Sequence, residues 1–406
     1  MIRDLPKGNA VIGQSGGPTA VINQSLVGVV EGLQTGLCHQ GIVDRILGMR
    51  HAVRGLTQDD LVDLTDVPGD RLERIAQSPS AALGSTRDKP DAVYCQRIAE
   101  ACARHNITYF FYIGGNDSSD ACRIVYEHAK AHGHDLRCFH VPKTVDNDLE
   151  CNDHTPGFAS AARFVATAFR ADALDNAALP GIKINIVMGR HAGFLTAASA
   201  LARQSDDDGP HLIYLPEVPF DEDRFVDDVQ QMVTKHGRCQ IAVSEGIQDA
   251  SGVSIGAKLI GGEKDDHGNV QLSGSGALGD QLAELLKKRL PKIDGKPPRV
   301  RSDTFGYLQR CWPDASRVDQ NEARDCGRFA AKLAADGYTN GSVAVVRTSR
   351  TGEPYASECT RVELTDVAAK TRHMPERFIE GHNNVSRAFI EYCRPLVGEL
   401  PVVDRF

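Results

Sequence analysis

The sequence lacks the features of a membrane-bound or disulfide-stabilised protein. No stretch of its 406 residues approaches the roughly 18 uncharged apolar residues that a membrane helix needs, and residues 1–7 lack the apolar core of a signal peptide. The eleven cysteines form no C-x-x-C pair, which argues against a disulfide framework and a structural zinc site. We therefore expect reduced thiols in a cytoplasmic protein that has no membrane partner.

Positive charge is also in deficit. Lysine and arginine total 46 against 54 aspartates and glutamates, so the net charge is −8. An acidic chain offers no broad attractive field to nucleic acid, and an anionic ligand must be bound by a local cluster of basic side chains and backbone N–H groups. The composition, 41% hydrophobic and 25% charged, is otherwise that of a globular protein, and the length favours two or three domains.

Units of strand, turn and helix recur along the chain. Residues 9–14 predict a buried strand, residues 15–18 a glycine turn, and the apolar periodicity of residues 21–33 a helix. Residues 107–113 form a continuous β-forming run, typical of a parallel strand covered on both faces, and a second glycine turn follows them. The alternation restarts after about residue 155, so the sequence predicts two doubly wound α/β domains.

Two further expectations concern the end of the chain and the histidines. The pattern of residues 378–392 predicts an amphipathic helix. His191, beside Arg190, is interpreted as a packing or supporting residue, and the other histidines, His51 and His105 among them, are interpreted as surface residues.

A polar heptapeptide, Pro142-Lys143-Thr144-Val145-Asp146-Asn147-Asp148, follows the apolar run that ends at Val141. Such a strand end is the usual position of a ligand site in an open α/β sheet. Asp146 can accept a proton, Asp148 can hold Asp146 or a metal-bound water, and Lys143 supplies a point charge. A solvated turn is the alternative interpretation of the heptapeptide, as simple chain reversal is of the glycine turn near residue 16.

Charged and small residues stand at the other predicted strand ends as well. They are Gly16-Gly17, Arg87, Asn116-Asp117-Ser118, Met188-Gly189-Arg190, Glu245, Tyr307 and Arg310. The set and its order along the chain resemble the phosphofructokinase family, from Gly13 to at least Arg310. Gly-Gly-Asn-Asp-Ser and Pro-Lys-Thr-Val-Asp-Asn-Asp together make the likeness specific. The tail, with Met374-Pro375 and residues 383–385 and 395–398, looks like the pyrophosphate-using branch.

This resemblance implies two Rossmann-like domains of the phosphofructokinase fold, with the active site in the cleft between them. The expected boundaries are 1–155 plus about 310–365 for a phosphoryl-donor-binding domain, and 156–309 plus about 366–406 for a sugar-phosphate-binding domain. The implied activity is reversible phosphoryl transfer from pyrophosphate to the 1-hydroxyl of D-fructose 6-phosphate. A homodimer or homotetramer and a Mg²⁺ cofactor are implied with it.

The resemblance also assigns roles to residues. Asp146 matches the general base, and Asp148 matches the acid that orients that base or the metal. The donor-binding positions are Gly16, Gly17, Arg87, Ser118 and Lys143. The sugar-phosphate positions are Thr144, Val145, Asp146, Met188, Gly189, Arg190, Glu245, Arg301, Tyr307 and Arg310, with Arg301 reaching in from a neighbouring subunit. Asn116 and Asp117 stand at the metal position, and Asp117 and Lys143 join the catalytic group.

Two side chains decide the expected donor. ATP-using relatives have Gly-Gly-Asp-Gly-Ser and Pro-Gly-Thr where this chain has Asp117 and Lys143. A carboxylate at position 117 would occupy the place of a nucleotide α-phosphate and repel it, which is a common way to exclude a competing ligand. Lys143 would compensate the charge of pyrophosphate, which has no adenosine to hold it.

Two departures from the family pattern remain. Asn116 stands where many relatives have a metal-binding aspartate, so the metal is expected to depend on nearby carboxylates and on pyrophosphate itself. Gly181 stands where relatives place a second arginine from the adjacent subunit, and Lys183 is the nearest cation, with its role left open. The alternatives are an ATP-dependent enzyme, a non-catalytic sugar-phosphate sensor on the same fold, and an oxidoreductase, which is disfavoured because the glycine turn at residues 15–18 is not a G-x-G-x-x-G turn.

Overall fold

The computed structural model describes residues 5–256, 276–292, 295–350 and 352–404. The chain divides into two compact units, the first made of Met1–Phe158 with Arg317–Arg372 and the second of Ala159–Ser316 with His373–Phe406. Each unit has its own sheet. Across the described ranges, the helices are all too short or too polar to cross a membrane.

Strands and helices alternate through both units. The strands are β1 Gly8–Gln14, β2 Val43–Met49, β3 Leu61–Asp63, β4 Ile107–Gly114, β5 Arg137–Pro142, β6 Ile182–Val187, β7 Leu212–Tyr214, β8 Cys239–Ser244, β9 Val300–Thr304, β10 Asn340–Arg347, β11 Ser357–Val362, β12 Ile379–Glu380 and β13 Asn384–Val385. The α-helices are α1 Ile22–Leu33, α2 Val53–Thr57, α3 Gly69–Ala76, α4 Ala92–Arg104, α5 Asn116–Ala131, α6 Phe158–Ala178, α7 Phe194–Ala197, α8 Glu222–His236, α9 Ala277–Arg289, α10 Arg317–Ala335, α11 Leu364–Val367 and α12 Arg387–Val397.

The first unit is a seven-stranded sheet in the order β11-β10-β5-β4-β1-β2-β3. Its five central strands are parallel, and β3 and β11 pair antiparallel at the two edges. Strand β4 is buried along its whole length, as its unbroken β-forming sequence predicts. Helices α1 and α10 pack on one hydrophobic cluster of the sheet, and α4 and α5 pack on another.

The second unit has a four-stranded parallel sheet in the order β7-β8-β6-β9. Strand β8 is buried throughout, and β6 lies between β8 and β9 with all three strands running the same way. Phe225 and Val229 of α8 and Leu282 and Leu286 of α9 join the same hydrophobic cluster as the strands. The prediction of two Rossmann-like α/β domains is therefore confirmed, with mixed strand direction confined to the edges of the first sheet.

The helix predicted over residues 378–392 is wrong before residue 387 and confirmed after it. A 3₁₀ turn, Glu376–Phe378, leads into the short antiparallel pair β12 and β13, and the α-helix begins only at Arg387. Gly381 adopts φ +63°, in the left-handed region that a helix cannot contain, so the chain reverses at that point. The sequence Gly381-His382-Asn383 is a turn signal that the apolar periodicity concealed.

The histidine and cysteine expectations have different outcomes. His51 is exposed, but His140 and His154 are fully buried, so the interpretation of those two as surface residues is wrong. All eleven cysteines lie within the described ranges and are free thiols, as expected. The thiols of Cys326 and Cys359 lie 3.8 Å apart.

Candidate active site

Three neighbouring strands of the first unit end together. Gln14 at the end of β1 pairs with Ile113 of β4, and Ile113 pairs with Val141 of β5. Because these strands are parallel, the segments that follow them leave the sheet at one edge. The glycine turn, the start of α5 and the polar heptapeptide are consequently neighbours, although more than a hundred residues separate the first from the last.

The glycine turn and the buried Lys143 form one structure. Gly16 has φ +77°, and its backbone N–H donates to the Thr86 carbonyl at 2.9 Å, while Ser85 Oγ donates to the Gly16 carbonyl at 2.6 Å. Lys143 Nζ donates to the Gly17 carbonyl at 2.7 Å. A Cβ on residue 16 would lie 3.2 Å from that Nζ, so glycine leaves room for the ammonium. A positive charge is therefore held at the glycine turn, where it would stabilise an anion.

Two other proposed donor residues adjoin this turn. Arg87 directly follows Thr86, the residue that binds Gly16. Ser118, in the first turn of α5, donates from its hydroxyl to Ser15 Oγ at 2.9 Å. The structure thus brings the predicted donor-binding set together within the first unit.

The acidic part of the site lies in the segment after β5. Asn116 Nδ2 donates to Asp148 Oδ2 at 2.8 Å, and the Asp146 N–H donates to Thr144 Oγ1 at 3.1 Å. Asp148 keeps a little exposed surface but is surrounded by protein, and this burial, with the nearby charge of Asp146, raises its pKa to about 7. The carboxyl of Asp148 is therefore protonated more readily than that of an ordinary aspartate.

Oxygen atoms of Asn116 and Asp146 suit a hard cation. Asn116 Oδ1 and Asp146 Oδ1 are buried and have no hydrogen-bond partner among the described residues. Amide and carboxylate oxygens are the ligands that Mg²⁺ takes, usually with several oxygens supplied by water and substrate phosphate. Within the described ranges, no three His, Cys, Asp or Glu side chains form a metal-binding group by themselves. The residues present therefore fit a cation that is shared with a phosphate ligand.

Asp117 is placed differently from its neighbours. It is exposed and lies in the first turn of α5, directly after the residue that begins the helix. Backbone N–H groups at a helix N-terminus favour negative charge, so a carboxylate there occupies a position that would otherwise attract a phosphate.

In the second unit, the predicted sugar-phosphate residues gather at the ends of β6 and β8. Ser244 Oγ donates to the Gly189 carbonyl at 2.6 Å, which ties the turn after β6 to the end of β8. Glu245, next in the chain, is buried. A Cβ on Gly246 would lie 2.1 Å from the Arg190 carbonyl, so only glycine permits this close approach.

Tyr307 and Arg310 join the same edge through a neighbouring glutamine. Gln309 Oε1 accepts from the Met188 N–H at 3.2 Å, which fixes the 3₁₀ turn Gly306–Gln309 against the end of β6. The Arg310 guanidinium lies over the Tyr307 ring, 4.7 Å from its centroid. A basic and an aromatic side chain are thus held beside Met188-Gly189-Arg190.

Arg301 is not part of this group within one chain. It is exposed, and in the parallel pair β6–β9 it lies opposite Lys183, three positions before Ile186 meets Thr304 at the carboxyl end. Three residues of strand correspond to about 10 Å. Lys183, whose role the sequence left open, forms ion pairs with Asp172, at 2.6 Å, and Asp175.

Sequence reasoning missed the residues that support the acidic segment. His154 was taken for a surface histidine, and Glu322 and Arg372 were not considered. Arg372 donates from its backbone N–H to the Asp148 carbonyl and from Nη1 to the Asp153 carbonyl, each at 2.8 Å. Arg372 and Glu322 are far from the segment in sequence, so no local pattern could have indicated them.

The fold and these residues define a two-unit α/β protein with polar side chains at the carboxyl ends of parallel strands. The chain belongs to the phosphofructokinase family, because the family profile described as Phosphofructokinase matches residues 9–334. It is 54% identical to a pyrophosphate--fructose 6-phosphate 1-phosphotransferase of Rhodospirillum rubrum, over 97% of this chain and 95% of that one. A protein of the same description from Xanthomonas campestris is 36% identical, over 98% and 94% of the two chains.

The three-dimensional likeness agrees with the sequence likeness. The crystal structure of a pyrophosphate-dependent phosphofructokinase from Marinobacter aquaeolei matches with a TM-score of 0.83 and 31% identity, covering 98% of this chain and 94% of that one.

Proposed function

We propose that this protein reversibly transfers a phosphoryl group from pyrophosphate to the 1-hydroxyl of D-fructose 6-phosphate, giving fructose 1,6-bisphosphate and phosphate. The observation that carries the proposal is the buried Lys143 ammonium at the Gly16-Gly17 turn, in the same segment as Asp146. Lys143 supplies a fixed charge for a small anion that has no nucleoside to hold it. The named relatives support the same activity, in the diphosphate–fructose-6-phosphate 1-phosphotransferase class.

The proposed chemistry assigns different work to the two acids. Asp146 takes the proton of the sugar 1-hydroxyl as that oxygen forms a bond to phosphorus, and the bridging P–O bond breaks to release phosphate. Asp148, whose pKa is raised to about 7, relieves the repulsion that two full negative charges would cause beside an anionic donor. Its hydrogen bond with Asn116 fixes its orientation.

The remaining residues bind and orient the two anions. Gly16, Gly17, Arg87, Ser118 and Lys143 hold the donor in the first unit, while Asp117 excludes a nucleotide. Thr144 and Val145 contact the sugar phosphate in the first unit, and Met188, Gly189, Arg190, Glu245, Tyr307 and Arg310 contact it in the second. Arg301 completes the site from a neighbouring subunit in a homodimer or homotetramer. The cation, proposed to be Mg²⁺ near Asn116, Asp117 and Asp146, neutralises phosphate charge when bound.

A side-by-side assay of two donors tests this function. Purified protein with fructose 6-phosphate and Mg²⁺ is expected to form fructose 1,6-bisphosphate with pyrophosphate, and to run in reverse with phosphate. The kcat/KM with ATP should be lower by at least about a hundredfold, which corresponds to about 2.7 kcal/mol of discrimination. Comparable efficiency with ATP and no activity with pyrophosphate would overturn the proposal.

A further inference from the structure

The segment that carries Asp146 and Asp148 is closed at its base. Thr144 N–H donates to the Pro156 carbonyl at 3.1 Å, and Thr155 Oγ1 donates to the Thr144 carbonyl at 3.1 Å. Asn147, at φ +60°, accepts from the Thr155 N–H at 3.0 Å through its side chain. The conformation of the acidic residues therefore depends on where residues 155 and 156 are held.

His154, next to Thr155, is fully buried between two carboxylates. Its Nδ1 lies 2.9 Å from Asp153 Oδ2, and its Nε2 lies 2.6 Å from Glu322 Oε2. Ionised carboxylates only accept hydrogen bonds, so both ring nitrogens must carry a proton. Burial by itself lowers the pKa of His154, but the two carboxylates outweigh it and raise the pKa to about 9. The ring is thus an imidazolium at neutral pH.

The two carboxylates are themselves fixed by other elements of the same unit. Glu322, on α10, accepts at Oε1 from the hydroxyls of Tyr355 and Ser357, so it is an acceptor on both oxygens. Asp153 accepts from Arg347 Nε of β10 at 3.2 Å, and its backbone carbonyl accepts from Arg372. Together, the charged His154 and Arg347 balance Asp153 and Glu322, which is the condition under which buried charges are tolerated.

We propose that His154 is a positioning residue, an imidazolium that anchors the segment 143–157 to α10 and so places Asp146 for proton transfer. The catalytic part of this inference rests on the proposed function, whereas the anchoring does not. The charge is essential to the anchor, because a neutral ring could donate to only one of the two carboxylates. Loss of the charge leaves a buried anion without its partner and releases the base of the segment.

Three variants separate charge from packing. His154→Gln removes the cation, and His154→Gln with Glu322→Gln removes one cation and one anion together. His140→Gln is the matched control, since His140 is the other fully buried histidine of the unit, but its ring contacts Ser342 Oγ at 2.8 Å and the Gly114 carbonyl at 2.9 Å, both neutral groups. A misplacement of about 1 Å can cost on the order of 10²-fold in rate, so we expect His154→Gln to lower kcat at least about tenfold.

The expected pattern has three parts. KM for fructose 6-phosphate should change by less than about threefold in His154→Gln, because the substrate contacts remain, and the double variant should regain part of the lost kcat. The wild-type kcat should fall as the pH rises through about 9, and His154→Gln should lack that component. His140→Gln should lose less kcat than His154→Gln. Equal losses in the two histidine variants, or parallel pH profiles, would overturn the proposal.

Two measurements made without substrate test whether His154 anchors the segment 143–157. Amide hydrogen exchange should be faster across residues 143–157 in His154→Gln than in the wild type, and histidine NMR of the wild type should show the His154 ring protonated at pH 8. If the wild type lacked activity with pyrophosphate, only the proposed function would fail, and these measurements would still decide the anchor. Unchanged exchange, or a neutral His154 ring at pH 8, would refute it. The wild-type spectrum decides this even if His154→Gln does not fold.

Discussion

Asp146 and Asp148 lie two residues apart, but their surroundings give them different properties. Asp146 Oδ1 is buried without a hydrogen-bond partner among the described residues, whereas Asp148 is held by Asn116. We therefore expect Asp146→Ala to lower kcat by roughly 10²–10⁴, as loss of a general base does, with little change in sugar-phosphate affinity. Steady-state kinetics with both substrates measures this. Asp135→Ala, at an exposed residue just before β5, is the control, and a kcat that barely moved in Asp146→Ala would place the base elsewhere.

The choice of donor depends on two other side chains. Removing the exposed Asp117 carboxylate from the start of α5 should admit a nucleotide phosphate, and removing the buried Lys143 should weaken pyrophosphate. Lost charge-assisted hydrogen bonds cost about 1.5–3 kcal/mol each, so Lys143→Gly should reduce kcat/KM with pyrophosphate tenfold or more. The measurement is kcat/KM for both donors in Asp117→Gly, Lys143→Gly and the double variant. No detectable use of ATP in any of them would mean that other residues also close the nucleotide site.

At the scale of elements, the sequence predicted the local structure correctly where that structure depends on the residues of a single strand or turn. The buried strand β4 and the glycine turn after β1 were predictable, because unbroken β-forming residues and adjacent glycines have few other stable outcomes. Most of the proposed site residues were predictable as strand-end groups for the same reason, but Arg87 lies in the loop between α3 and α4 and not after a strand, so that part of the prediction is wrong. The first part of the 378–392 helix failed because the apolar periodicity of that stretch concealed the turn signal of Gly381-His382-Asn383, where Gly381 adopts φ +63°.

Residues that act through distant partners were not predictable in this way. His154 has no sequence neighbour that marks it as buried, since one of its two carboxylates, Glu322, is 168 residues away. Whether a histidine is charged depends on what the fold brings beside it, and the local pattern around residue 154 carries no information about α10. The same holds for Lys183, whose ammonium forms an ion pair with Asp172 of the preceding helix.

The charged contact between the acidic segment and α10 also makes stability depend on pH. The pKa of His154 is raised from about 6.5 in the unfolded chain to about 9 in the folded protein, so its contribution to stability is complete below about pH 6.5 and is lost as the pH rises through about 9. Urea unfolding of the wild type and His154→Gln at pH 6.5, 8 and 9.5 tests this. The stability difference between them should shrink by a few kcal/mol towards high pH. A difference that stayed constant would show that His154 does not titrate with folding.

At the scale of the whole molecule, the position of Arg301 separates two kinds of active site. If Arg301 acts across a subunit interface, each site takes Asp146 from one chain and Arg301 from another, whereas an arginine acting within its own chain needs no partner.

Mixing Arg301→Ala with Asp146→Ala subunits distinguishes these cases. For a dimer, random reassembly makes half of the molecules mixed, and in an across-interface arrangement one of the two sites in each mixed dimer is intact. One intact site in half of the dimers should restore activity at low fructose 6-phosphate to about a quarter of the wild-type value. The unmixed Arg301→Ala protein should be less active than that, because each lost arginine contact costs about 1.5–3 kcal/mol. Wild-type subunits mixed with Asp146→Ala give the control for subunit exchange. No recovery after demonstrated exchange would place Arg301 in its own chain's site or outside any site.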